Sequence, residues 1–111
     1  MAIDQTYVVD AVGVDSISGD LVLTITDHLD WSGGGNEHLL LLQEKINAYL
    51  RFVESGEILK TYPDAKSRLV LIDIVHKYPL NHLAKEFYGK VTSIVESAGI
   101  KLQHRIFDEA N

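Results

Sequence analysis

The chain has 111 residues, 46% of them apolar and 23% charged, with five histidines, no cysteine and a formal net charge of −6. That is chain enough for one domain, residues 1–111, with a real core, and the missing cysteine excludes disulfides, thiol catalysis and Cys-based zinc sites. Residues 1–44 carry eight Asp and Glu and no Lys or Arg, while 45–111 carry all ten basic residues against eight acids, which disfavours nucleic acid as a ligand of the first half and suits a basic protein partner.

The elements follow in chain order. YVVDAVGV (7–14) is β-branched and aromatic and predicts a first strand. DSISG (15–19) is turn chemistry, and DLVLTIT (20–26) alternates, with Leu21, Leu23 and Ile25 on one face and Val22, Thr24 and Thr26 on the other, so the two strands form a hairpin. A loop over 27–36 leads into a helix over about 37–55. There Leu39, Leu42, Ile46, Tyr49, Leu50 and Val53 make one stripe, Asn36 is the expected N-cap and Gly56 the residue past the end. EILKTYPDAK (57–66) reads as a connection. RLVLIDIVHK (68–77) is nearly continuous in its apolar character, as an interior strand would be. Asn81 is placed to cap a second helix over about 82–98 with a stripe of Leu83, Phe87, Val91, Ile94 and Ala98. Gly99 ends that helix, and IKLQHRIF (100–107) alternates as a last strand.

The order ββαβαβ predicts an α/β (α+β) fold: a two-layer sandwich of a mixed four-stranded sheet with two helices mainly on one face. Its other face would then show Val22, Leu69, Leu71 and Val75, together with Val8, Val12 and Val14. Asp73 would share that face, within reach of Arg105 or Lys101. An uncovered apolar face suggests a homodimer.

The segment TDHLDWSGGGNEH (26–38) gathers the candidate chemistry. A glycine-rich loop between a strand and a helix suits anions, but nothing here matches a phosphate loop, and Asp27, Asp30 and Glu37 would repel a phosphate. A divalent metal fits the charge better, with His28 and Asp30 converging and His38 arriving from the first helical turn, though the spacing is no standard motif. Ser32 lacks the flanking pattern of a nucleophile elbow. The stronger reading is structural: Asp and Asn side chains tie the turn, and Trp31 lids the core. If the second and third strands run parallel, His76 and His82 reach the same end. The candidate ligand pocket is then Asp27, His28, Asp30, Trp31, His38, His76 and His82, where open α/β sheets bind ligands.

With DHLDW (27–31) ahead of EHLLLLQEKINAYLRFVESGEI (37–58), the chain resembles an uncharacterised bacterial family, a domain of unknown function, over about residues 7–80. The resemblance implies a small bacterial cytoplasmic protein and supplies no activity, cofactor or site residue. The opening residues hold no secretory signal, and no apolar run is long enough for a membrane span. The leading expectation is a non-enzymatic interaction or ligand-binding module acting as a homodimer. The alternative is a metal-dependent enzyme at Asp27, His28, Asp30 and His38, with His76 or His82 carrying the proton.

Overall fold

The computed structural model describes residues 11–107. Strands β1 (Ala11–Val14) and β2 (Leu21–Asp27) are followed by helices α1 (Asn36–Glu54) and α2 (Glu57–Thr61), strand β3 (Val70–His76), helix α3 (His82–Ser97) and strand β4 (Lys101–Ile106). Short 3₁₀ turns at Ser32–Gly34 and Pro63–Ala65 flank the first helical pair. The strands lie in the order β1-β2-β3-β4, antiparallel between β1 and β2 and parallel thereafter, so this is an α+β fold with a mixed four-stranded sheet.

Register decides which side chains share a face. One set of rows holds Val14–Leu21–Val70, Val12–Leu23–Ile72–Leu102, Ile25–Ile74–His104 and Asp27–His76–Ile106. The other holds Gly13–Val22–Leu71–Lys101, Ala11–Thr24–Asp73–Gln103 and Thr26–Val75–Arg105. Every strand residue of the buried apolar cluster comes from the first set, and Leu42, Ile46 and Tyr49 of α1, Ile58 of α2, and Tyr88 and Val95 of α3 join that same cluster. Each such side chain removed from water contributes about 1.5–3 kcal/mol, which pins the sheet's parity. Tyr49 also donates its hydroxyl to the Thr24 carbonyl at 2.9 Å, tying α1 to β2.

The boundary signals act as the sequence suggests at three places. Gly56 and Gly99, at φ +82° and +80°, stop α1 and α3, and the Asn81 side chain accepts from the Ala84 N–H at 2.8 Å. On the second set of rows, Arg105 reaches Asp73 at 3.1 Å, while Lys101 pairs with Asp20 at 3.0 Å instead.

Other expectations need correction. Val12 and Val14 lie on the helix-bearing side, because the Asp15 N–H donates to the Asp20 carbonyl and sets Val14 opposite Leu21; Val8 falls outside the described residues. Asp15 holds that turn by accepting from the Ile17 and Ser18 N–H groups, which lowers its carboxyl below the ordinary value. Gly35, not Asn36, precedes α1, with no side-chain cap. The supposed connection contains α2, anchored by buried Ile58. The α3 stripe is rotated by one position: Ala84, Tyr88 and Val95 are buried, whereas Leu83 and Ile94 are exposed. Small Ala84 lets the helix approach, and the Tyr88 ring stacks on His104, which together fix that rotation. Lys45 in mid-α1 is fully buried, its Nζ 5.6 Å from the Tyr49 ring centre, and no periodicity pointed to it.

Candidate functional site

The row Asp27–His76–Ile106 closes the sheet at the C-terminal ends of its parallel strands, where two histidine-centred clusters sit. The first is made by the DHLDW segment. The Leu29 N–H donates to Asp27 Oδ1 at 3.1 Å, curling the chain out of β2. His38, from the first turn of α1, brings Nε2 to 2.7 and 2.6 Å from the two Asp27 carboxylate oxygens, and both side chains are buried. Its other nitrogen, Nδ1, lies 3.0 Å from the Asp30 carbonyl; a carbonyl oxygen has no proton to give, so Nδ1–H is the donor. Trp31 stacks on the His38 ring with centres 3.7 Å apart.

Neighbouring residues fit this arrangement closely. Gly35 stands at φ +83°, and a Cβ there would come within 2.7 Å of the Trp31 ring, so shape and backbone both demand glycine. The Asp30 carboxylate turns outward and accepts from the Ser32 hydroxyl at 2.6 Å and the Ser32 N–H at 3.1 Å. The hydroxyl bond first, and the N–H bond second, hold the Asp30 carboxyl below its ordinary value. Both His38 nitrogens and the Ser32 hydroxyl are therefore occupied, which leaves no serine–histidine relay in this loop. Chemically the cluster is a latch joining the end of β2 to the start of α1.

The second cluster was not foreseen as a unit. His76 donates Nδ1–H to the Tyr78 carbonyl at 2.9 Å, and its Nε2 lies 3.3 Å from His104 Nδ1. The Tyr88 ring stacks on His104 with centres 4.4 Å apart. The Tyr88 hydroxyl is buried with no hydrogen-bond partner among the described residues, as is Trp31 Nε1. Burial first, then the nearby Asp27 charge, push the Tyr88 phenol far above its usual range, so it stays neutral. His104 is pushed the other way, below the ordinary histidine value, by burial and then by His76. Its place on the apolar side of β4 was readable; its meeting with His76 depends on the β3–β4 register, which was not.

Of the expected pocket, Asp27, Trp31, His38 and His76 stand at this end on the helix-bearing side. His82 is 89% exposed at its side chain and pairs with Glu86 at 2.7 Å, one helical turn along α3, and does not line the pocket. His28 points to the other side of the sheet end, where it borders a cleft of about 180 Å³ with Thr26, Asp27, Val75, Lys77 and Phe107, although the Asp27 carboxylate itself is turned to His38. Strand alternation separates it from Asp27, and the Ser32 bonds turn Asp30 away, so His28, Asp30 and His38 do not converge as metal ligands. Among the described residues, no three His, Asp or Glu side chains are grouped as a metal ion requires. No helix among them is long and apolar enough to cross a membrane.

A family model matches residues 1–108, nearly the whole chain, and its description is a family of unknown function (DUF6572). The chain belongs to that family. The match extends well past residues 7–80, where the DHLDW resemblance lay, and takes in α3 and β4 with the His76–His104 pair. No curated protein and no solved structure matches the chain. Membership thus assigns this family no activity, and function rests on the geometry.

Proposed function

We propose that this member of the family is a non-enzymatic interaction module: one domain, folded as a two-layer α/β sandwich, that pairs with a second copy of itself through the sheet face turned away from α1 and α3. The observation that carries the reading is the register, which puts Val22, Leu71 and Val75 together on the rows that contribute nothing to the buried cluster. Leu69, just before β3, is 55% exposed. Val22 and Leu71 stand side by side on adjacent central strands, and Val75 lies on the far side of the Thr24–Asp73–Gln103 row, so apolar side chains flank a neutralised carboxylate. Such a face favours a partner, and a second copy brings the same face to a two-fold axis. A stable pair would bury about 800 Å² on each copy. The polar groups of this face suit a contact: Asp73 is already matched by Arg105 and Gln103, and Asp20 by Lys101, so no naked carboxylate is pressed into the interface.

A basic partner recruited by the acidic first 44 residues draws less support. Asp20 is paired with Lys101 and Asp27 with His38, so two of those eight acids are spent inside the fold.

Leu71→Lys tests the proposal. Light scattering is expected to give the mass of two chains for the wild type and of one chain for the variant, with an unchanged far-UV spectrum. A variant that still pairs would put the interface elsewhere.

A further inference from the structure

The second histidine cluster carries a site of a different kind. The hydrogen bonds run in one direction. The Tyr78 carbonyl can only accept, so His76 carries its proton on Nδ1. In the neutral ring His76 Nε2 is then a lone pair, and His104 must turn Nδ1–H toward it across 3.3 Å. His104 Nε2 is left as a bare lone pair. Its ring is held on one face by Tyr88, while the residue remains largely exposed, unlike His76, which is 4% exposed. Burial and the neighbouring His76 both disfavour a second proton on His104.

This ring borders a cleft of about 480 Å³ between the edge of β4 and the start of α3. Pro79, Leu80 and Ile106 give the cleft apolar walls, and Lys85, from the first turns of α3, is a cation at its border. Arg105 also touches the cleft, but its guanidinium is committed to Asp73 on the other sheet face. A few polar groups at the border of an apolar cleft suit a small ligand.

We propose that this cleft binds a small organic anion that also carries an O–H or N–H donor: Lys85 takes the anionic group, and His104 Nε2 accepts the donor's hydrogen. The Tyr78 carbonyl and His76 are positioning groups that fix the His104 tautomer. The two proposed ligand groups, Lys85 and His104, lie on the helix-bearing side, and Arg105 is the residue that borders both this cleft and the pairing face.

The test uses the full chain with nitrogen-15 labelled histidine. L-lactate, which has the hydroxyl, and propionate, which lacks it, are titrated while the five imidazoles are followed by NMR. Before addition, His104 should show a protonated Nδ1 and a bare Nε2. Lactate should shift the His104 Nε2 resonance saturably, and propionate should bind about tenfold more weakly for want of one hydrogen bond. Lys85→Gln should weaken lactate by a similar factor or more, and His76→Gln should scramble the His104 tautomer without unfolding the chain. The proposal is overturned by a protonated Nε2 in the free protein, by no saturable shift at tens of millimolar lactate, or by a Lys85→Gln variant that binds as the wild type does.

Discussion

The two faces of the sheet are built by different rules although they share every strand. On the helix-bearing face the rows are apolar in the middle and polar only at the C-terminal end, where Asp27, His38, His76, His104 and Tyr88 gather. On the other face the polar groups stand in the middle, with Asp73 under Arg105 and Gln103, and the apolar residues Val22, Leu71 and Val75 lie around them. The covered face gathers most of its buried polar groups at its C-terminal end, with Lys45 of α1 buried apart from them. The other face keeps its charges neutralised in place and leaves its apolar side chains half-covered, as the proposed pairing requires. Alternation along β2 and β3 thus separates fully buried side chains from half-covered ones residue by residue.

The comparison can be broken first at the latch. His38→Ala leaves the Asp27 carboxylate buried without its partner, and breaking a buried pair in this way costs about 3–5 kcal/mol. Urea unfolding should show that loss; a variant within about 1 kcal/mol of wild type would mean that water reaches Asp27 freely.

Next come two neighbours that point opposite ways. Ile72 is fully buried, and Ile72→Ala should cost about 2–5 kcal/mol, whereas half-buried Leu71→Ala, measured at a dilution where copies separate, should cost about 1 kcal/mol or less. Equal losses would erase the distinction between the faces.

A smaller effect sharpens the polar end. The Tyr88 hydroxyl is buried without a partner among the described residues, so Tyr88→Phe should leave stability unchanged or raise it by about 1 kcal/mol. A clear loss would reveal a bound water or ligand on that hydroxyl.

The smallest concerns pH. His104 is held below the ordinary histidine value, so as pH falls the unfolded chain takes that proton before the folded one. Its contribution is therefore complete above the ordinary value and is lost as pH drops from there through the lowered folded value. Thermal melts between neutral and mildly acid pH should show a shallower fall for His104→Gln than for wild type.

Much of this plan was legible in the sequence. Strand alternation named Leu21, Leu23 and Ile25 as core, and Gly56, Asn81 and Gly99 marked helix ends, because those signals act within a few residues. In the DHLDW loop the local bonds that Asp residues suggest are present: Asp27 and Asp30 accept from the N–H groups two residues on, and Trp31 stacks on His38. What escaped depends on distant residues. The Val14–Leu21 register reversed the face of Val12 and Val14, the Tyr88–His104 stack rotated α3 away from Leu83 and Ile94, and the β3–β4 register brought His104 to His76. A lysine buried in mid-helix, as Lys45 is, breaks the hydrophobic pattern from which helices are read.

The most direct test of the pairing claim is the wild-type mass by light scattering over a dilution series from high to low micromolar concentration. The mass of two chains, falling toward one on dilution, is the predicted result. A mass of one chain at every concentration would contradict the account and leave the Val22, Leu71 and Val75 face without its proposed occupant.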